Sequence, residues 1–290
     1  MTPKVSSWRS PRAEQTFRSI EDALVAERWP QGVDAVDVDT TFGVTHAYRW
    51  LASRPSSEVP IVLLHGMGGT GATWAPYVEA LTDRDVYALD TIGDVGRSIQ
   101  REPIADADDL ARWLDESLGG LGLDRCHLAG TSYGGWMALN LASRRPDRVA
   151  AVTLIDSGGL APFRLGRFML WGMPMLLAWM APGPIRRRLA RTRPLLEDPR
   201  LMRLALHGQR NHPFRLPRPE PLTDQQLTAL RRPTTVIVAG RSAPFDPRVA
   251  ATRARMIPDA TVEVIEGAGH EVSWSHADRC VSYLRIATPS

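Results

Sequence analysis

Apolar runs of strand length alternate with helix-like segments along most of the chain. The runs that predict strands are residues 33–38, 46–52, 59–64, 86–89, 125–129, 149–155, 235–239 and 261–265. The segments that predict helices are residues 11–27, 74–81, 106–118, 133–144, 223–230, 247–256 and 273–286. Strands separated by helices in this way are typical of an α/β fold with a mainly parallel central sheet flanked by helices.

Residues 157–222 interrupt this alternation. The segment holds ten prolines, which predicts short helices, and its apolar stretch rich in Met and Trp is followed by the basic run RRRLARTR. It contains twelve arginines and three acidic residues, a net charge of +9, whereas the whole chain carries +3. Such a shift marks a separate structural unit. We therefore expect an N-terminal helical segment at residues 1–32, an α/β core at 33–156 and 223–290, and a helical lid at 157–222, inserted after the sixth strand.

The composition, 43% hydrophobic and 23% charged residues, is that of a soluble globular protein and excludes the disordered and fibrous classes. Two cysteines, Cys126 and Cys280, cannot form a disulfide framework, which favours a reducing compartment. The N-terminal residues lack the apolar core of a signal sequence, and the longest apolar stretch, residues 168–180, is too short to span a bilayer. We expect a cytoplasmic protein without a transmembrane helix. No nucleic-acid partner is expected, because no basic and aromatic motif for nucleic-acid binding occurs.

The motif GTSYG places Ser132 between Gly130 and Gly134, directly after an apolar run and before a helical segment. A sharp turn from strand into helix forces the central residue towards strained backbone angles and leaves room beside it only for glycine. Such a nucleophile elbow exposes the serine hydroxyl at the edge of the sheet and aims the backbone N–H of Tyr133 at a reacting carbonyl. The alternative is a glycine-rich turn without catalysis. Ser132 is the candidate nucleophile.

A serine nucleophile needs a base at neutral pH, and seven histidines are available. His270 is the candidate because it lies in EGAGH, just past the last predicted strand, at the edge where sites collect in open α/β sheets. The base in turn needs a carboxylate. Asp246, in GRSAPFDP, gives the chain order Ser, Asp, His and is favoured. Asp156, at the end of the strand that follows the nucleophile helix, is the alternative.

The glycine-rich loop LLHGMGGT predicts a second oxyanion donor, because its backbone amides carry few obstructing side chains. The Met67 N–H is the candidate. His65 is expected to shape this loop through a hydrogen bond to the backbone, and Asp90, in the next loop, is expected to be structural. The substrate-binding candidates, all in the lid, are Trp171, Met175, Trp179 and His207. Packing of the lid onto the core is the alternative role for its apolar residues.

Four motifs in this order, HGMGG, DTIGDVGRS, GTSYGG and EGAGH, resemble those of the α/β-hydrolase superfamily. Within it, the chain is similar to bacterial carboxylesterase-type members. The resemblance covers roughly residue 33 to the C-terminus and implies an α/β-hydrolase fold. It also implies that Ser132 is the nucleophile and His270 the base, with the amides of Met67 and Tyr133 as oxyanion donors.

One departure from the family pattern concerns the acid. Many members carry it three residues after the glycine that ends a strand, in a GxxD pattern. Here that position is Ala243, and Asp246 comes three residues later. The acid therefore stays open between Asp246 and Asp156.

The expected reaction is hydrolysis of a carboxylic ester or lactone through an acyl-enzyme on Ser132. No metal or other cofactor is expected, because no cluster of His, Cys, Asp or Glu has ligand spacing and no P-loop or GxGxxG follows a strand. The expected partner is a small apolar ester, lactone or thioester. One alternative is a thioesterase or acyl transferase acting on a carrier- or CoA-bound acyl group, with an acyl carrier protein attracted by the basic lid. Another is a ligand-binding protein of the same fold with little turnover.

Overall fold

The structure is a computed structural model that describes residues 4–53, 58–81, 83–190 and 198–286. Within these ranges the side chains of residues 174–180, 186, 187, 189, 190 and 286 are not described. The described strands form one sheet of nine strands, mostly parallel and flanked by helices. The predicted architecture is confirmed.

Strands and helices alternate after an initial hairpin. The strands in the described residues are β1 (Asp34–Thr40), β2 (Gly43–Trp50), β3 (Ile61–Leu64), β4 (Val86–Leu89), β5 (Ile99–Gln100), β6 (Cys126–Thr131), β7 (Val149–Ile155), β8 (Thr234–Ala239) and β9 (Thr261–Ile265). The helices there are α1 (Pro11–Arg28), α2 (Ala75–Ala80), α3 (Ala107–Gly120), α4 (Tyr133–Arg144), α5 (Leu165–Met180), α6 (Gly183–Ala190), α7 (Pro199–Asn211), α8 (Asp224–Ala229), α9 (Pro247–Ala254), α10 (Val272–Ser275) and α11 (Ala277–Ile286). Short 3₁₀ turns lie at Gly71–Trp74 and Pro146–Arg148.

The strand order across the sheet is β1-β2-β4-β3-β6-β7-β8-β9, with β5 paired to β2. From β4 to β9 in this order, neighbouring strands are parallel, whereas β2 runs antiparallel to β1, β4 and β5. In the centre of the sheet, Leu64 of β3 lies opposite Gly130 of β6, and Thr131 of β6 lies opposite Ile155 of β7. Because parallel strands end at the same edge, the loops after these strands meet there, as they do in other open α/β sheets.

The central strands are apolar on both faces because helices cover both faces of the sheet. The strands β3, β4, β7 and β8 are buried along their whole length. In β3, Val62 and Leu64 belong to the apolar cluster that includes α3 and α4, whereas Ile61 and Leu63 belong to the cluster that includes α1, α2 and α11. This division follows from side chains that alternate across a strand.

The segment between β7 and β8 contains the helices α5, α6 and α7. The prediction that its prolines keep its helices short is wrong for α5, which has 16 residues and includes Pro174. A proline removes one hydrogen bond from a helix, and the turns on either side can continue. The segment also follows the seventh strand in the structure, not the sixth. The extra strand is β5, whose two residues are too few to show a periodic pattern. Within the described residues, no helix combines the length and apolar character needed to cross a bilayer.

Helix α1 begins as predicted, with the Ser10 side chain capping its first turn. The helix packs against α7. Two ion pairs join these helices, Glu27 with Arg200 and Arg28 with Asp198. Helix α1 of the N-terminal segment and helix α7 of the segment after β7 therefore pack together as one layer.

A buried carboxylate connects α1 to the loops at the edge of the sheet. Glu21 is fully buried and accepts a hydrogen bond from Arg97 Nε at 2.7 Å. It also lies beside the hydroxyls of Tyr48 and Thr70. Burial and the neighbouring Asp90 raise the pKa of Glu21 to about 7, although Arg97 opposes this shift.

This raised pKa predicts a pH-dependent stability difference for Glu21→Gln. The folded chain holds the Glu21 proton up to about pH 7, whereas the unfolded chain releases it near the ordinary value of 4.5. Wild-type protein therefore loses stability as the pH rises through this interval, and the variant lacks that loss. The free energy of unfolding of the variant, relative to wild type, should increase between pH 5 and pH 8 by on the order of 2 kcal/mol. Urea unfolding at both pH values measures it, and a pH-independent difference would contradict the assignment.

Candidate active site

Ser132 lies at a sharp turn between β6 and α4. Its backbone angles are φ 52° and ψ −112°, a region that residues other than glycine rarely adopt. The strand β6 ends one residue before it, and α4 begins one residue after it without a side-chain cap. The predicted nucleophile elbow is therefore present, and its geometry places the serine side chain at the edge where the parallel strands end.

Glycines make this turn possible because backbone segments approach closely on both sides. A Cβ atom on Gly130 would lie 2.3 Å from the carbonyl carbon of Gly134. A Cβ atom on Gly134 would lie 2.0 Å from the carbonyl oxygen of Leu64 in β3. Both distances are shorter than any real contact of a side chain. The small residues around Ser132 are thus required by packing, as the motif predicted.

Three side chains form a continuous hydrogen-bonded chain at this edge. Nε2 of His270 lies 3.1 Å from Oγ of Ser132, and Nδ1 of His270 lies 2.6 Å from Oδ2 of Asp156. A neutral imidazole with its proton on Nδ1 satisfies both contacts: Nδ1–H donates to the carboxylate, and Nε2 accepts from the serine hydroxyl. The structure thus brings Ser132 and His270 together as the sequence predicted.

Asp156 occupies the position beside His270 because of where β7 ends. It directly follows β7, has a positive φ of 43°, and is buried. Its Oδ1 accepts the backbone N–H of Ala239 in β8 at 3.2 Å, and its Oδ2 accepts the hydroxyl of Ser242 at 2.7 Å. With the imidazole, three donors fix the orientation of this carboxylate.

The favoured expectation, that Asp246 contacts His270, is wrong in the structure. Asp246 caps α9, where its carboxylate accepts the backbone N–H groups of Arg248 and Val249, and it forms an ion pair with Arg164. The N–H of Val249 and the Arg164 guanidinium hold the pKa of Asp246 below its usual value. An aspartate followed by proline at the start of a helix is an N-cap pattern. The sequence already contained this signal.

The loop after β3 is shaped by His65, as predicted. Its Nδ1–H donates to the carbonyl oxygen of Gly66 at 2.8 Å, and its Nε2 accepts the backbone N–H of Thr91 at 3.0 Å. Burial lowers the pKa of His65 to about 4, so the ring is neutral at physiological pH. The same loop passes close to the elbow, since a Cβ atom on Gly66 would lie 3.3 Å from Cβ of Ser132.

Two buried aspartates in the loop after β4 hold the glycine-rich loop in place. Oδ2 of Asp94 accepts the N–H of Gly68 at 2.9 Å, and Oδ1 of Asp90 accepts the N–H of Gly71 at 2.7 Å. The structural role expected for Asp90 agrees with its contact to Gly71. The role of Asp94 in this loop was not predicted. Burial raises the pKa of Asp94 to about 7.

Met67 follows Gly66 in the loop that passes close to Ser132, and Tyr133 follows Ser132 as the first residue of α4. Within the part of the chain that the structure describes, neither amide N–H has a hydrogen-bond acceptor. The Tyr133 N–H is also the first of α4, where the helix dipole favours negative charge. Both amides therefore retain the capacity to donate to an anionic oxygen beside Ser132.

Aromatic rings surround the imidazole of His270. The rings of Phe168, Trp171 and Phe245 lie 6.1, 5.8 and 5.8 Å from it between centroids, at steep angles of 88°, 82° and 71°. Trp171 was a predicted substrate-binding residue, and Phe168 was among the apolar lid residues expected to line the pocket or to pack on the core, whereas Phe245 was missed. Phe168 precedes Trp171 by three residues, a spacing that places both on one face of a helix, so the sequence held a signal for it.

Of the other predicted substrate-binding residues, His207 has a described side chain. His207 faces α1: its Nε2–H donates to the carbonyl oxygen of Ala13 at 2.7 Å, and its ring lies 6.4 Å from that of Trp8. This ring stabilises the contact between α1 and α7, and its expected contact with substrate stays a prediction. The side chains of Met175 and Trp179 lie outside the described residues.

The arrangement combines a hydroxyl, a base that contacts it, a fixed carboxylate and two unpaired amides. These are the groups that acyl transfer needs: a nucleophile, a proton acceptor and donors for a developing oxyanion. Among the described residues, no group of three or more His, Cys, Asp or Glu side chains is placed to hold a metal ion.

Comparison with known proteins identifies similar chains. The sequence pattern of the Alpha/beta hydrolase family matches residues 61–282, more than half of the chain. The chain is 30% identical over 261 residues to a carboxylesterase of Bacillus subtilis called nap and described as uncharacterized, covering 84% of this chain and 83% of that one. It is also 30% identical over 276 residues to carboxylesterase YbfK of the same organism, covering 88% of this chain and 89% of that one.

A solved structure agrees with these sequence matches. The crystal structure of carboxylesterase CesB (YbfK) from Bacillus subtilis superimposes with a TM-score of 0.77 at 25% identity. The superposition covers 94% of this chain and 97% of that chain. The similarity therefore extends over nearly the whole length of both proteins.

The close packing at the elbow predicts that Gly134→Ala damages the fold. The added Cβ would lie against the carbonyl oxygen of Leu64, so we expect a loss of about 3 kcal/mol or more in the free energy of unfolding. Gly166→Ala in α5 is the matched control, because a Cβ there meets nothing within 4 Å. The control should gain about 0.5–1 kcal/mol from helix propensity. Urea unfolding measures both variants, and equal stability of Gly134→Ala and wild type would contradict the described turn.

Proposed function

The chain belongs to the Alpha/beta hydrolase family, and we propose that it is a serine hydrolase that cleaves carboxylic esters. The observation that carries this proposal is the chain of contacts from Ser132 through His270 to Asp156, at 3.1 and 2.6 Å. The two Bacillus subtilis relatives are carboxylesterases by name, and their matches cover 84% and 88% of this chain. These matches support ester hydrolase activity.

The first half of the proposed reaction forms an acyl-enzyme. Oγ of Ser132 attacks the ester carbonyl carbon while its proton passes to Nε2 of His270. The carbonyl oxygen becomes an oxyanion that accepts hydrogen bonds from the amides of Met67 and Tyr133. As the C–O bond breaks, the imidazolium returns the proton to the leaving alcohol, and the acyl group stays on Ser132.

The second half releases the acid and restores the enzyme. A water molecule attacks the acyl carbon and gives a proton to Nε2 of His270, and the same amides hold the second oxyanion. Collapse of this intermediate breaks the bond to Ser132, which takes the proton back. A lactone follows the same steps, with its alcohol remaining attached to the acyl group.

Asp156 serves both halves by keeping the imidazole in the required tautomer. Its contact with Nδ1 leaves Nε2 free to accept a proton, and its charge stabilises the imidazolium that forms. Ala239 and Ser242 hold the carboxylate from the other side, which limits its movement.

We assign residues 157–222 as a lid and wall for the substrate pocket. Phe168 and Trp171 bring aromatic surface to His270, which suits an apolar group of the ester. The end of the segment is tied to the nucleophile helix: Tyr133 Oη donates to Pro217, and Trp136 Nε1 donates to Glu220, both at 3.0 Å to backbone oxygens. The substrate class that fits is a small or medium apolar ester or lactone. No observation on the described residues favours a carrier-bound thioester or a binding protein without turnover.

A fluorophosphonate probe tests the nucleophile. Wild-type protein should be labelled on Ser132, and Ser132→Ala should lose labelling and lower ester turnover by on the order of 10⁴- to 10⁶-fold. Ser275→Ala is the matched control, because its hydroxyl lies 2.9 Å from His276 Nδ1 in an exposed pair. The control should label and turn over ester like wild type. Unchanged turnover in Ser132→Ala would rule out this mechanism.

Paired asparagine variants test the acid. Asp156→Asn should lower kcat by about 10⁴-fold, because the amide no longer selects the tautomer with the proton on Nδ1. Asp246→Asn keeps an oxygen that can cap α9 but removes the charge of an ion pair away from the imidazole. Its kcat should therefore stay within about threefold of wild type, and its stability should fall by at most about 1 kcal/mol. Steady-state kinetics and urea unfolding on both variants measure this, and the reverse ranking would overturn the assignment of Asp156.

A further inference from the structure

The helices α5 and α6 present large apolar side chains to solvent. The exposed fraction of the residue is between 53% and 68% for Leu165, Met169, Leu170 and Met173 of α5 and for Ile185 of α6. Single exposed apolar residues are ordinary, but several of them on two contacting helices mark an interaction site. We call these five residues the outer apolar face.

The outer apolar face belongs to the helix that also contacts the site. Leu165, Met169 and Met173 follow one another at intervals of four and share one side of α5. Phe168 and Trp171 lie on another side and contact the imidazole of the site. A helix that is apolar all round is normally covered all round. In α5, the side that carries Phe168 and Trp171 packs against the site, whereas the outer apolar face is exposed among the described residues.

The sequence around the outer apolar face is basic. Residues 165–196 contain six arginines and no acidic residue. Arg167 of α5 and Arg188 of α6 have described side chains, and both are exposed. Exposed apolar side chains combined with arginines are the composition of helices that lie in the interface of anionic membranes.

We propose that the outer apolar face, with Arg167 of α5 and Arg188 of α6, docks onto an anionic lipid surface, from which apolar esters enter the site. This inference rests on the proposed ester hydrolase function. Docking buries the outer apolar face among lipid chains and places the arginines at the level of the head groups. Because α5 carries Phe168 and Trp171 on its other side, an ester leaving the lipid surface would meet the aromatic wall of the site.

Charge and shape favour lipid over a protein occupant. A second copy of the chain would bring a segment of the same +9 charge to the contact, which opposes pairing of two such faces. The apolar side chains belong to two helices and project outward, which suits insertion into a fluid layer without shape matching. A lipid surface with acidic head groups satisfies both conditions.

Vesicle sedimentation tests the proposal on the full chain. Ser132→Ala protein, which cannot turn over ester, is mixed with vesicles of phosphatidylglycerol or of phosphatidylcholine. We expect binding to the phosphatidylglycerol vesicles at low salt, at least about tenfold weaker binding to phosphatidylcholine, and weaker binding as salt increases.

Two further substitutions in this background separate the apolar and basic contributions. Leu170→Asp should weaken binding about tenfold or more, because it places a charge on the face that enters the lipid. Arg188→Gln should weaken binding about fivefold, the effect of one basic residue near an anionic surface. Leu51→Asp is the matched control: Leu51 is 49% exposed but follows β2, outside the insertion, and its substitution should leave binding unchanged.

Several results would overturn the docking surface. These are absence of vesicle binding, equal binding by Leu170→Asp and the control, or capture of a soluble acidic acyl carrier protein through this face without vesicle binding. Leu170→Asp in the wild-type background should still hydrolyse a water-soluble ester at the wild-type rate in the absence of lipid. Absence of vesicle binding by the Ser132→Ala protein, together with hydrolysis of the soluble ester by wild-type protein, would reject only the docking surface. Wild-type protein that does not hydrolyse the soluble ester would reject the proposed function.

Discussion

The hydrogen bond between the imidazole of His270 and the carboxylate of Asp156 is the contact on which the arrangement at the edge of the sheet depends. It joins the loop after β9 to the end of β7, and the same carboxylate reaches β8 through Ala239. On its other side the imidazole meets Ser132, at the end of β6. Three neighbouring parallel strands and the loop after β9 are thus connected through one ring and one carboxylate. In the proposed reaction, this connection gives the imidazole its tautomer and its position at once.

A second set of contacts holds the other half of the site. The glycine-rich loop that carries the Met67 amide is fixed by Asp90, Asp94 and His65, all of them buried. Burial of a carboxylate disfavours its charged form and lowers stability. The pKa values of Asp90 and Asp94 are raised for this reason. Glu21 extends the network to α1, which also packs against α7. The loop that carries the Met67 amide, a proposed oxyanion donor, is therefore connected through buried contacts to the N-terminal helix and to the segment after β7.

Much of the site could be predicted from the sequence because its signals are local. Glycines on both sides of Ser132 indicate a tight turn, and the position of His270 after the last strand places it at the same edge of the sheet. Chain order could not decide between Asp156 and Asp246, because both lie between Ser132 and His270, and it is the end of β7 that brings Asp156 to the imidazole. Asp94 and β5 were missed because one is a distant tertiary contact and the other is two residues long. The aromatic wall depends on how α5 packs on the core, which periodicity alone does not specify.

A double-mutant cycle on kcat/KM for a soluble ester tests most directly whether Ser132, His270 and Asp156 act as one unit. Ser132→Ala, Asp156→Asn and the double variant are compared with wild type. If the carboxylate acts only through the imidazole that serves Ser132, the double variant matches Ser132→Ala within about twofold, because the second substitution has nothing left to disrupt. If the two losses instead multiply, Asp156 and Ser132 contribute independently, and the central role given to their shared histidine is contradicted.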